Sequence, residues 1–419
     1  LLGVYNSFTQ ARAYANGQYR YYNIEWYAQD TWKITRRLTL DYGMRMAWIQ
    51  PQHDASRIVS SFRPDRFRPE EATRLYDPVR NAAGAVVGGI DTLTGQTTSF
   101  VNVGRLVPNS GNVLNGIVTP GKDVNRYLMR DRGIHWGPRF GLAFDVLGDQ
   151  RIVMRTGGGI FYDRFQGNRV FDLLTNPPTV LQPTLNFGFA QEINPATALI
   201  GPPNLVMADP TGVVPTTYSY NFGIQARLPF DYVLDIAYVG NMARHLQNNR
   251  NINAVPYGAF FRNPTAFNAD FLRPFRGFGN INVYEGTITS NFNSLQVTAS
   301  RRFRSFQMDL NYTWGKALGT NTGDGDFARI DSLQRFANYS YLDFHRKHNM
   351  NINFIYELPK FAKSRALGYA LNNWQVSGIY TYTSGSPQGV GFSIPGFVNQ
   401  NVTGSFTEGA RARLVGDPT

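Results

Sequence analysis

Residues 20–48 alternate apolar and polar side chains down one run, break at Thr35-Arg36, and alternate again on the way back. In the first run Tyr22, Ile24, Trp26, Ala28, Trp32 and Ile34 hold the even positions, and Asn23, Glu25, Gln29, Thr31 and Lys33 the odd ones. The second run sets Leu38, Leu40, Tyr42, Met44, Met46 and Trp48 against Arg37, Thr39, Asp41, Gly43 and Arg45. A period of two sends successive side chains to opposite faces of a strand, so each run has one greasy and one wet face. Strands of about a dozen residues are long enough to cross a bilayer, and the break leaves room only for a tight turn.

The pattern recurs. The alternation predicts hairpins over about 20–49, 138–163, 218–241, 294–316 and 348–384, which makes ten long strands. Gly157-Gly158-Gly159 interrupts the fourth strand and suggests a bend or a close approach of another segment. Four of the turns inside hairpins are short, and the fifth, 359–373, is a longer link bearing Lys and Arg. The connections between hairpins, roughly 50–137, 164–217, 242–293 and 317–347, are long and read as structureless loops. Soluble propellers and sandwiches also alternate, but their strands average about five or six residues. Long strands, short turns on one side and long loops on the other fit a transmembrane wall. The expected fold is all-β: an antiparallel, up-and-down transmembrane β-barrel, partial, with short periplasmic turns and long extracellular loops.

Composition agrees. Of 419 residues, 42% are hydrophobic and 17% charged, as expected where only alternate side chains meet lipid. No run approaches the roughly 18 apolar residues of a membrane helix. Aromatics reach 14%, and Trp26, Trp32, Trp48, Tyr162, Tyr238, Trp314, Trp374 and Tyr382 are placed to form girdles at the membrane boundary. The absence of Cys excludes disulfides, thiolate metal sites and a Cys nucleophile. The net charge of +12 is spread over strand ends and wet faces, without the basic tract of a nucleic-acid binder. It suits a polar lining and contact with the anionic head groups of outer-membrane lipid and lipopolysaccharide. The chain opens on Leu-Leu-Gly-Val-Tyr without an initiator Met and closes on Val-Gly-Asp-Pro-Thr, so both ends read as cuts.

Few positions suggest chemistry. Asn321-Thr322-Gly323-Asp324-Gly325-Asp326 sets two carboxylates in a Gly-rich loop, but lacks the acidic run and closing Glu of a calcium hand. His345, His348 and Asp343 are close in sequence, yet on a strand the two His would point to opposite faces. The triple glycine is not followed by the Lys-Ser/Thr of a phosphate loop. Neither a Ser-His-Asp set nor paired catalytic carboxylates stand out, so the reading is no enzyme, no metal and no cofactor. Asp41, Arg45, Arg155, Gln225, Arg227, Asp309 and Asn311 are expected to line a lumen.

The run Trp26-Tyr27-Ala28-Gln29-Asp30-Thr31-Trp32-Lys33-Ile34, followed by Arg37-Leu38-Thr39-Leu40-Asp41-Tyr42-Gly43-Met44-Arg45, resembles a hairpin of TonB-dependent outer-membrane receptors. The stretches Pro138–Gly141, Phe161–Asp163, Asn293–Gln296, Tyr312–Lys316 and Asn372–Gln375 are similar to the Oar-like branch, which carries a carboxypeptidase-regulatory-like domain. Asp343-x-x-x-Lys347-His348 matches a recurrent motif just before a strand in that family. The resemblance implies uptake across the outer membrane of a substrate too large for porins, such as an oligosaccharide, peptide or chelate. It also implies a plug domain, which the lumen residues would meet, and a TonB box pulled by the inner-membrane TonB complex. Such transporters have about 22 strands, so this chain is expected to be the middle-to-late part of a wall, with plug and N-terminal domains absent. An adhesion or scaffold role on the same wall is the alternative, and a soluble carbohydrate-binding module is a third reading.

Overall fold

The computed structural model describes residues 3–10, 15–164, 167–194, 198–303, 305–320, 332–334, 338–389, 395–412 and 415–416. Among the described residues ten strands form the continuous path of the main sheet, with two short strands paired off it: β1 (Asn23–Lys33), β2 (Leu38–Ile49), β3 (Ile134–Asp145), β4 (Ile152–Tyr162), β5 (Thr216–Leu228), β6 (Tyr232–Asn251), β7 (Ile281–Phe303), β8 (Phe306–Gly319), β9 (His348–Glu357) and β10 (Gln375–Thr383). Each pairs antiparallel with the next in sequence, from β1 to β10. Among the described residues β1 and β10 are the ends of this path and do not pair with each other. The result is the up-and-down wall of a partial barrel.

Register keeps the two faces separate across the whole wall. One row of paired residues runs Trp32, Leu40, Leu142, Thr156, Phe222, Tyr238, Leu295, Trp314, His348. Its members are apolar with the exceptions of Thr156 and His348. Trp32 sits beside the turn end of β1, whereas His348 is the loop-end residue of β9. The row therefore climbs by roughly one residue per strand, the stagger of strands tilted about 35° to a barrel axis.

Gly158 is paired on both sides within β4, so the triple glycine does not break the strand. Its role is local. The Phe140 ring lies across Gly158, the Tyr220 ring across Gly240 and the Phe354 ring across Gly378, each a cross-strand partner on the apolar face. A Cβ at Gly378 would stand 2.8 Å from the Phe354 ring. An aromatic covering a strand glycine restores the contact that the missing side chain forfeits.

The first turn is held by Thr35, whose Oγ1 accepts from the N–H groups of Arg37 (3.1 Å) and Leu38 (3.0 Å). At the second, the Asp145 carboxylate accepts from Gly148 and Gln150, both at 2.9 Å. The third places Phe230 and Asp231 at φ 65° and 61°. The fifth is an ordered link, 358–374, containing a short helix (Arg365–Leu371). Trp374, expected to open a strand, lies in this link, one residue before β10.

Residues 321–331 and 335–337 of the last long connection lie outside the described residues, but the described parts of the connections over 50–137, 164–217 and 242–293 are not structureless. They pack into a cap on the side of the wall opposite the turns, and most of the buried residues lie there. One cluster joins Val59, Val118, Leu128, Met129, Val170, Leu173 and Ala208. Another joins Phe62, Leu205, Met207, Phe278, Ile281 and Val283. β6 runs on past the expected end of its hairpin at 241, β7 begins before the expected start of its own at 294, and the two carry this cap. Register shifts around Leu246 mark where the wall gives way to it. Leu205–Ala208 adds a parallel strand to Ile281–Tyr284 at the loop end of β7.

Candidate functional site

The polar face of the wall is a basic and amide surface on a floor of small residues. Arg45 pairs with Gly137, Arg139 with Gly43 and Gly159, and Arg155 with Gly223. Glycine leaves room for a long cationic side chain to lie along the strands. The Arg139 stem crosses Gly159, and its guanidinium lies 4.5 Å from the Phe161 ring centroid. Arg45 also makes an ion pair with Glu25, and Thr31 donates to Asp41 at 2.6 Å. Glu25, Thr31, Asp41, Arg45 and Arg139 line an open concavity of about 810 Å³ over β1–β3 that includes Tyr27 and Gln29.

All seven residues expected at a lumen lie on this face. Asp41 pairs with Thr31 and Gly141, and Gln225 with Val153 and Asp235. Arg227 pairs with Val233, Asp309 with Ser300 and Asn353, and Asn311 with Thr298 and Asn351. The wall does not gather them at one point. Asp41, Arg45 and Arg139 share the concavity, while Asp309 and Asn311 are several strands away. Glu25 and Arg139 are not singled out by alternation alone, since a two-residue period marks a face and not a neighbour across the ladder.

The aromatics expected in girdles lie on the other face or at its margins. Trp26, Trp32, Tyr238, Trp314, Trp374 and Tyr382 are exposed. Trp48 and Tyr162 are half-buried at the loop end, where Trp48 Nε1 donates to the Asp131 carboxylate (3.2 and 3.3 Å) and Tyr162 donates to the Trp136 carbonyl (3.1 Å). Asp30 is a charged exception on the apolar face, where it accepts from Tyr42 Oη at 3.1 Å.

The cap is rich in charge held by hydrogen bonds. Arg74 grips Asp91 through two bonds of 2.9 and 2.8 Å, and with Thr94 it holds that carboxyl well below the usual range. Arg250 grips Glu285 in the same way at 2.8 and 2.9 Å, joining β6 to β7 beyond the wall. Burial, with Asp54 and Asp172, pushes the Tyr19 phenol up to about 12. His53 is lowered by burial and by Arg126, whose guanidinium reaches its Nε2 at 2.6 Å.

The candidate metal residues separate. His345 accepts from the Ala317 N–H at 3.2 Å, whereas His348 Nδ1 is hydrogen-bonded to the Tyr312 hydroxyl at 2.8 Å. Residues 321–326 lie outside the described residues. Among the described residues no three His, Asp or Glu side chains are grouped to hold a metal ion.

The profile of a family described as outer membrane beta barrel domain matches residues 1–419. Among solved structures, the chain is similar to the alcaligin outer membrane receptor FauA from Bordetella pertussis, with 10% identity, a TM-score of 0.37, and coverage of 88% of this chain and 38% of that one. It is similar to the outer membrane transporter YddB from Escherichia coli, with 11% identity, a TM-score of 0.37, and coverage of 87% and 47%. A third is the hemophore receptor HasR of Serratia marcescens, solved with its hemophore HasA and heme, at 12% identity, a TM-score of 0.37, and coverage of 80% and 41%. The chain thus spans less than half the length of each of the three. No protein of curated function matches it.

Proposed function

The chain belongs to the outer membrane beta barrel domain family and is a protein of the bacterial outer membrane, and on that premise we propose that it forms wall and extracellular loops of a TonB-dependent transporter of the Oar-like branch. Its substrate class is one too large for porins: an oligosaccharide, a peptide or a chelate. The observation that carries this reading is the polar face, on which Arg45, Arg139 and Arg155 are each paired with glycine across the strands, opposite a face that is apolar but for a few positions such as Asp30. Cations on a small-residue floor can hold the polar surface of a plug or of a passing solute. Asp41, Arg45, Arg155, Gln225, Arg227, Asp309 and Asn311 are then lumen residues, and the exposed Trp and Tyr of the other face are girdle residues. The plug and the TonB complex are its partners in the whole protein. The packed cap favours one other reading, a binding platform for adhesion without transport.

Cells carrying the gene in a strain with an intact TonB complex, and in one lacking it, separate the two. Uptake or growth on a candidate substrate that disappears without TonB supports transport. Surface binding of that substrate with no TonB-dependent uptake would leave only the adhesion role.

A further inference from the structure

The wall has one turn unlike the rest. The others span a few residues, but the last hairpin is joined by 358–374. This link is built, not slack. The Leu358 N–H donates to the Trp374 carbonyl at 2.8 Å, which closes its base. Asn372 bonds both backbone groups of Ala362, at 3.0 and 2.7 Å. Ser364 caps the short helix through Leu367 N (3.3 Å), and Trp374 Nε1 donates to the Ala370 carbonyl at 2.7 Å.

What the link presents is apolar and basic. Phe361 is 62% exposed, Leu367 59%, Tyr369 81% and Trp374 60%. The segment carries Lys360, Lys363 and Arg365 and no acidic residue. Large apolar groups gathered with basic ones at the end of a lipid-facing wall match the chemistry of a headgroup layer: rings and aliphatic groups at the hydrocarbon boundary, ammonium groups at the phosphates. The apolar face runs directly into it. Tyr356 and Val376, paired across β9 and β10 on that face, are both exposed. The next turn continues the pattern, with Arg301 at 5.2 Å from the Tyr232 ring and 5.5 Å from that of Phe306, which itself contacts Tyr356.

We propose that the 358–374 link is an interfacial anchor that binds anionic phospholipid in the leaflet on the turn side of the wall. It rests on the wall crossing the outer membrane. The chain has no cysteine, so one nitroxide can be placed cleanly. The protein carrying the label at Tyr369→Cys, and separately at Ile236→Cys on the apolar face, is reconstituted into protein-free vesicles. Vesicles of phosphatidylethanolamine with phosphatidylglycerol are compared with vesicles of phosphatidylcholine. The label at 369 is expected to be shielded from a water-soluble nickel relaxant in the anionic vesicles and much less so in phosphatidylcholine. Lys360→Gln and Lys363→Gln should each cut the shielded fraction relative to the free one by about fivefold. A label at 369 open to nickel while that at 236 is shielded overturns the anchor and leaves the wall assignment standing, with a protein partner then the better occupant. Both labels open to nickel would remove the membrane reading itself. Equal shielding in both lipids overturns the anionic preference.

Discussion

Asn253 shows how single side chains hold irregular backbone. It is fully buried, and its Nδ2 reaches the carbonyls of Phe275 (3.1 Å), Phe278 (3.2 Å) and Gly279 (2.7 Å), while its Oδ1 accepts from the Phe275 N–H at 2.8 Å. Asn253→Ala leaves these groups buried without partners, which costs about 1–3 kcal/mol for each group left unsatisfied. Faster proteolysis confined to residues 254–280, with the wall still resistant, is the expected result. His53 links the cap to pH. Its folded value lies below the ordinary 6.5, because burial and Arg126 oppose the imidazolium. As pH falls, the unfolded chain takes up this proton before the folded one does. The contribution to stability is thus whole above about 6.5 and is lost as pH falls through the folded value. His345 is lowered as well, by burial and by Arg346, Lys316 and Lys347, and acts in the same direction. Protection factors for amide exchange in residues 50–65, corrected for the intrinsic rate at each pH, should fall between about pH 7 and pH 5, and His53→Gln should flatten that response.

The strand faces can be tested by one pair of changes. Ile236 is on the apolar face of β6, and Gln225 is on the polar face of β5. Ile236→Arg should destabilise the wall in vesicles by about 2–4 kcal/mol, and Gln225→Lys by less than about 1. Urea unfolding followed by tryptophan emission measures both, and equal effects would refute the assignment. These faces were legible in the sequence because side-chain direction in a strand has a period of two and lipid enforces it. Legibility stops where lipid does. The end of β6, His245-Leu246-Gln247-Asn248-Asn249-Arg250-Asn251, loses its alternation yet stays paired to β7 through Asn251. Pairing needs only backbone there, so the expected hairpin end at 241 fell short. The candidate site was half legible for the same reason. Alternation marks Arg45 as wet, but its pairing with Gly137 depends on a strand some ninety residues away in sequence.

At the scale of the molecule, wall and cap are stabilised by different solvents. The wall's apolar face has lipid for a partner, while the cap must bury its own. None of this core could be read beforehand. Val59, Phe62, Leu128, Leu173, Leu205 and Ile281 come from separate segments with no shared period. Phe62 is fully buried against Phe275 and Phe278, with ring centroids at 5.1 and 5.7 Å. Phe62→Ala should cost the cap about 3–5 kcal/mol. Cap proteolysis should rise steeply while the heat-resistant mobility of the wall on a gel is kept. The cap's bonds also set an order of assembly. Ser60 Oγ donates to the Pro177 carbonyl at 2.6 Å across 117 residues, and the Ala208 N–H donates to Ser61 Oγ at 3.0 Å across 147. Each of these closures encloses the second hairpin, β3 and β4, so its loop-closure entropy opposes it until those strands have zipped and brought the loop ends together. A wall growing hairpin by hairpin can form without the cap, but the cap has no counterpart in a half-inserted wall. Protection of the Ser60 and Ala208 amides is therefore a clock for insertion that starts only after the second hairpin has zipped and joined the first.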